Sequence, residues 1–113
     1  MDECLFCRIV SGSIPSPRLH EDELCIAIAD IAPKAPVHLL ILPREHLAST
    51  DGVDAAHEGR AGHLVRVAAG LARSRGLDTQ GYRLVFNSGA QAGQTVFHLH
   101  LHLLGGRAMQ GMG

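Results

Sequence analysis

Residues 95–107 read TVFHLHLHLLGGR, and the fold turns on how this stretch is taken. Histidine alternates with an apolar residue: His98, His100 and His102 are interleaved with Phe97, Leu99, Leu101 and Leu103. A period of two marks a half-buried β-strand, because successive side chains point to opposite faces of a pleated sheet. Residues 96–104 are therefore expected to form a strand with Phe97, Leu99, Leu101 and Leu103 toward the core. The three histidines then share the other face, with neighbours about 6.5–7 Å apart along the backbone. The two glycines that follow end the strand. Three readings of the histidines stand open: a metal site, a catalytic histidine with helpers, or a half-exposed strand whose polar residues happen to be histidine.

Working outward, residues 82–86 form a second β-prone run, separated from the first by the loop NSGAQAGQ. The longest periodic stretch is 58–75. There Ala61, Leu64, Val65, Ala68, Leu71 and Ala72 make one apolar stripe, Arg60, Arg66, Arg73 and Arg75 lie mostly off it, and Gly76 is placed as its stop. Gly59, Gly62 and Gly70 lower its intrinsic helicity, so this helix is expected to depend on packing. Nearer the N-terminus, LCIAIAD (24–30) and VHLLIL (37–42) are strands, the first followed by a loop with Pro33 and Pro36 and the second closed by Pro43. SIPSPRLH runs extended into an earlier strand. CLFCRIVSGS puts Leu5, Phe6, Ile9 and Val10 on one face of a short helix ended by Gly12. The order is helix, three strands, helix, two strands, and the short connections favour antiparallel pairing. The expected class is α+β: about five antiparallel strands with one long and one short helix, in one domain spanning residues 1–113.

Bulk properties narrow the function. Charged residues are 19% and apolar residues 46% of the 113, as in globular proteins, which excludes disordered and fibrous classes. A net charge of -1 argues against electrostatic capture of nucleic acid or an anionic membrane. No apolar run approaches the length of a membrane span, and MDECLFCRIV lacks the basic start of a secretory signal. Three cysteines do not make a disulfide framework. The expected compartment is the cytoplasm.

Two further motifs bear on the histidines. Cys4 and Cys7 have the C-x-x-C spacing that lets two thiolates share one tetrahedral zinc. A closed site needs two more donors, and His46 and one strand histidine are available. If zinc takes His98, at one end of the row, His100 remains free for chemistry. The rival readings of the pair are small buried residues or a redox couple, the latter lacking its βαβ context. Cys25, alone in a strand, reads as core packing. The loop before the histidine strand carries Asn87, Gly89, Gly93 and Thr95. Glycines let backbone amides approach an anion, and small amide and hydroxyl side chains add donors. As a lone motif this is a turn; at the mouth of a histidine row it reads as a phosphate cradle.

HLHLHLL at 98–104 fits the pattern His-φ-His-φ-His-φ-φ of the histidine triad (HIT) superfamily, where φ is apolar. The resemblance runs through CLFCRIVSGSIPS, EDELCIAIADIAPKAPVHLLILPREH and GYRLVFNSGAQAGQTVFHLHLHLLGGR, and is strongest to the Hint branch of nucleotide-binding proteins. It implies a hydrolase that cleaves a purine nucleoside 5′-phosphoramidate, or a similar AMP or GMP conjugate, through a covalent nucleotidyl-histidine. By position, His100 is implied as nucleophile, with His38 at a position that supports it, and His102 as phosphate contact and charge stabiliser. Asn87, Gly93 and Thr95 match the phosphate-binding set, with Thr95 where serine is common. Asp30 matches the acid on the ribose hydroxyls, and Phe6, Ile9, Ile28 and Ile31 the apolar slot for the base. Cys4, Cys7, His46 and His98 match a structural zinc site, one ion per chain, beside an active centre with no catalytic metal. The resemblance also implies a homodimer joined edge to edge. One departure stands out: many Hint relatives end in a tryptophan reaching across the dimer, whereas this chain ends RAMQGMG and has no Trp. Two alternatives use the same residues: a nucleotide-binding regulator with incidental hydrolysis, and a hydrolase of dinucleoside polyphosphates.

Overall fold

The computed structural model describes residues 3–112. The elements are α1 (Leu5–Ser11), β1 (His20–Glu21), β2 (Cys25–Ala29), β3 (Val37–Pro43), α2 (Glu58–Ser74), α3 (Leu77–Gln80), β4 (Tyr82–Val85) and β5 (Leu101–Gly105). The strands form one antiparallel sheet in the order β1-β2-β3-β5-β4, as the α+β reading anticipates. Single 3-10 turns at Thr50–Gly52 and Ala90–Ala92 shape two loops.

Side-chain alternation gives the sheet two different faces. Cys25, Ala27, Leu39, Ile41, Leu101 and Leu103 point to one, where Leu64, Ala68 and Ala72 of α2 and Leu77 of α3 close over them. Cys25 is fully buried there, as expected of a packing residue. Ile26, Ile28, Leu40 and Leu42 point to the other face, covered in part by Phe6 and Ile9 of α1. α2 has 17 residues and α1 only 7, so the second face is much less covered. The α1 helix is capped by its own sequence: Cys4 Sγ accepts the Cys7 amide at 3.4 Å, and Gly12, at φ 88°, ends the helix in the left-handed region.

At the far end, Asp22 ties the β1–β2 turn to α2. Its Oδ2 accepts from His20 Nε2 at 2.6 Å and His63 Nε2 at 2.7 Å, and its Oδ1 accepts the Leu24 and Cys25 amides. Partial burial opposes ionisation of Asp22, but these donors outweigh it and hold the carboxyl well below its usual range.

The structure corrects four sequence expectations. The last strand starts at Leu101 rather than Val96. Its register pairs Ile41 with Leu101, so continuing it would set Leu99 against Pro43, which has no N–H for the ladder. The Leu99 amide donates instead to Leu47 O at 2.6 Å. Leu99 still reaches the core, but Phe97 does not and is 51% exposed. The expected apolar stripe of α2 is buried at Leu64, Ala68 and Ala72 and partly buried at Leu71, but Val65 is exposed and Val67 packs against the core instead. Leu5 is likewise exposed on α1. Finally, the chain does not run straight from Gly76 into β4: Gly76, at φ 72°, starts the one-turn α3, which delivers Leu77 to the core.

Candidate active site and metal centre

The less-covered face holds a cleft of about 410 Å³ between α1 and the sheet. Phe6 and Ile9 of α1, with Ile28, Leu40 and Val96, form apolar walls, and Asp30, Thr95, His100 and His102 supply the polar end. A second cleft of about 470 Å³ lies beyond His102 and is lined by Lys34, His38, Asn87 and Gly93 among others. The two meet at Asp30, Thr95 and His102, which line both. All the residues assigned by resemblance to nucleotide binding therefore line one cleft or the other. Ile31 lines the first cleft but is fully exposed at its rim rather than enclosed in it.

The hydrogen bonds settle where the histidine protons sit. His38 lies on β3 and His102 on β5, diagonal across the antiparallel pair on one face. The Lys34 amide donates to His38 Nδ1 at 3.0 Å, so the His38 proton is on Nε2. That nitrogen lies 2.9 Å from His102 Nδ1 and 3.4 Å from Asp30 Oδ2. His102 Nδ1 accepts, which leaves His102 carrying its proton on Nε2. His100 is set the opposite way: its Nδ1–H donates to the His98 carbonyl at 2.7 Å, and Nε2 keeps its lone pair. Phe6 meets the His100 ring edge-on with centroids 5.0 Å apart. Burial, then the neighbouring His100 and His38, push His102 down to about 4 against the pull of Asp30. Burial also lowers His38, with Lys34 adding to it and Asp30 opposing.

The glycine loop differs in detail from the expected cradle. Gly89 and Gly93 both have positive φ, but their amides are used internally, Gly89 on Gln94 Oε1 at 2.8 Å and Gly93 on Ala90 O at 3.0 Å. What the glycines supply is the tight turn that brings Asn87 and Thr95 to the clefts. Sequence reasoning passed over Gln94, which is buried and braces this loop by donating to Ala48 O and Val96 O. Nothing in the pattern AGQT singles out its amide; only its place before Thr95 could have raised it.

The residues anticipated for zinc converge behind the cleft. One donor atom each from Cys4, Cys7, His46 and His98 lies within 4.8 Å of the others. His98 Nδ1 is 3.5 Å from both Cys4 Sγ and Cys7 Sγ, and His46 Nδ1 is 3.3 Å from Cys7 Sγ. Zinc–sulfur and zinc–nitrogen bonds in tetrahedral geometry place S and N about 3.5 Å apart, so the set fits such an ion. The fully buried His98 donates Nε2–H to Pro43 O at 2.9 Å, which turns Nδ1 toward the thiols. Burial, then Cys4 beside it, raise the Cys7 thiol; a dication among the donors reverses that balance. Asp30, His38 and His102 also bring one donor atom each within 4.8 Å, but there the short His38–His102 bond turns two nitrogens toward each other.

This arrangement has close counterparts. The HIT domain model matches residues 11–109. A HIT-like protein of Synechococcus elongatus, itself uncharacterised, is 44% identical over 108 residues, 96% of this chain and 94% of its own. The purine nucleoside phosphoramidase of Escherichia coli K12 is 41% identical over 108 residues, 96% of this chain and 91% of its own. Among solved structures, a HIT family hydrolase from Clostridium thermocellum superposes with a TM-score of 0.95 at 44% identity, covering 99% of this chain and 97% of that one. By domain match, sequence and fold together, the chain belongs to the HIT family.

Proposed function

We propose that this protein hydrolyses purine nucleoside 5′-phosphoramidates, or related AMP and GMP conjugates, through a covalent nucleotidyl intermediate on His100. The observation that carries the reading is the fixed tautomer of His100: the His98 carbonyl holds Nδ1–H, and the nucleophilic Nε2 is left to the cleft. The base lies between Phe6, Ile9, Ile28 and the exposed Ile31, and Asp30 accepts from the ribose hydroxyls. Asp30 Oδ1 already takes the Ala32 amide at 2.8 Å, which orients the carboxylate and leaves lone pairs for the sugar. Nε2 of His100 attacks the α-phosphorus, the P–N bond breaks, and the amine leaves with the bonding pair and a proton from solvent. Water then attacks the same phosphorus, the P–Nε2 bond breaks with its electron pair returning to Nε2, and the proton of the water passes to solvent. His102 donates Nε2–H to a phosphate oxygen as charge develops, and His38 keeps it in that tautomer. Asn87, Gly93 and Thr95 border the phosphate. The phosphoramidase named among the relatives supports the substrate class.

Cys4, Cys7, His46 and His98 would hold one structural zinc per chain, a closed site that ties α1 to the sheet and supplies no open coordination position. The reaction is read as needing no catalytic metal. The working unit is read as one domain over residues 1–113, acting as a cytoplasmic homodimer. β4, at the sheet edge, offers its outer backbone groups for pairing. No helix among the described residues is long and apolar enough to cross a membrane.

Turnover of adenosine 5′-phosphoramidate, followed by release of AMP, tests the proposal with His100→Ala as control. His100-dependent hydrolysis is expected. AMP binding without it would leave the nucleotide-binding regulator as the reading, and preferential cleavage of dinucleoside polyphosphates the other hydrolase.

A further inference from the structure

The Gly-Gly-Arg at the end of the histidine strand has a place beside the site that its sequence does not announce. β5 pairs Gly105 with Val37, so the next residues run beside the 30–36 loop. Gly106 is dictated by that passage, whereas Gly105 faces Leu77 of α3. A Cβ on Gly105 would sit 2.7 Å from Leu77 Cδ1, and one on Gly106, whose φ is 95°, would sit 2.8 Å from Pro36 Cβ. The close approach brings Arg107 onto the loop. Its Nη2 donates to Lys34 O at 2.7 Å and its Nη1 to Ala108 O at 2.8 Å. Lys34 is the residue whose amide donates to His38 Nδ1.

A continuous line of contacts therefore runs from Arg107 through the Lys34 backbone to His38 and His102. We infer that Arg107 is a positioning residue for the phosphate-facing histidine: by anchoring the Lys34 carbonyl it holds the Lys34 backbone in place, and the Lys34 N–H, in the preceding peptide unit, in turn sets the tautomers of His38 and His102. The inference rests on the phosphate-contact role proposed above for His102. Without the Arg107 anchor, the Lys34 amide no longer holds His38 Nδ1 as an acceptor. His38 can then carry its proton on Nδ1, which obliges His102 to carry its own on Nδ1 and turns a lone pair, rather than an N–H, toward the phosphate. The substrate would still bind through the apolar slot and Asp30, so the loss falls on the chemical step.

The test compares Arg107→Met, which keeps length and removes the donors, with Arg107→Lys, which keeps one. Two readouts are used: imidazole ¹⁵N shifts of the substrate-free protein, and kcat and KM for adenosine 5′-phosphoramidate. Arg107→Met is expected to shift His102 away from the Nε2–H form and to lower kcat about tenfold with KM changed less than about twofold. Arg107→Lys is expected to restore most of both. Unchanged His38 and His102 tautomers in Arg107→Met overturn the inference, whatever the activity. So does a kcat loss that Arg107→Lys shares in full. If the wild-type protein hydrolyses no phosphoramidate, the proposed function fails, while the ¹⁵N shifts still decide whether Arg107 sets the tautomers.

Discussion

His98 and His100 are two residues apart and both are buried, yet their rings are wired in opposite senses. His98 gives Nε2–H to Pro43 O and turns Nδ1 toward two thiols. His100 gives Nδ1–H to the His98 carbonyl and turns Nε2 to the cleft. Which nitrogen is free is decided by which backbone carbonyl claims the other, and the neighbours of the free nitrogen decide its chemistry. Sulfur donors about one tetrahedral edge away fit the first to the proposed role of metal ligand; an apolar cleft with a carboxylate and a hydroxyl fits the second to the proposed role of nucleophile.

The sharpest way to break this contrast is to remove each histidine site separately. His100→Ala is expected to lose turnover by about a thousandfold or more while keeping its zinc, measured by AMP release and metal analysis on the same sample. Cys4→Ser/Cys7→Ser should do the reverse. Zinc falls from about one per chain to none, and a stability loss of about 2 kcal/mol lowers Tm by roughly 10 °C, while turnover persists where the variant stays folded. Equal zinc and equal Tm in both proteins would return the cysteines to packing residues. A smaller effect is expected at His38→Gln, which disrupts the His38–His102 hydrogen bond without touching His100: kcat should fall about tenfold with zinc and Tm near wild type.

The smallest effect lies far from both sites. Asp22 has a depressed pKa in the folded state, so its contribution is complete above the unfolded carboxylate value of 3.8 and is lost as pH falls below it. His102, depressed from 6.5 to about 4, gives the same sign in a higher window, with stability lost as pH drops from 6.5 toward 4. A plot of Tm against pH should therefore descend in two stages. Asp22→Asn should cost about 1 kcal/mol near neutrality and flatten only the lower stage. A lower stage unchanged in Asp22→Asn would show that the Asp22 knot is not its source.

Much of this was legible before any coordinates. The period-two pattern at 101–104 and the stripe of 58–75 specify a strand and a helix because one face of each is buried, and burial leaves its period in the sequence. The C-x-x-C spacing pointed to a four-donor cluster, and Cys4, Cys7, His46 and His98 do converge closely enough to hold a metal ion. What escaped was set by partners distant in the chain. Phe97 continues the alternation perfectly, but Pro43, far upstream, ends the ladder before reaching it. Gln94 and Arg107 act through backbone carbonyls, which every residue has and no sequence marks. Gly89 and Gly93 pointed to a loop that borders the clefts, but their own amides are engaged within it.

The unequal cover of the sheet has a last consequence. On the face under α2, side chains of Leu64, Ala68 and Ala72 pack directly onto the strands. On the other face, α1 spans only about 10 Å before Gly12 stops it, against roughly 25 Å for α2. The cleft is the stretch of sheet that this small helix fails to roof, so a ligand entering it completes a core the polypeptide left unfinished. Occupancy should therefore slow the opening of α1 and β2 as a unit, and amide exchange there, rather than under α2, is where a bound nucleotide would register.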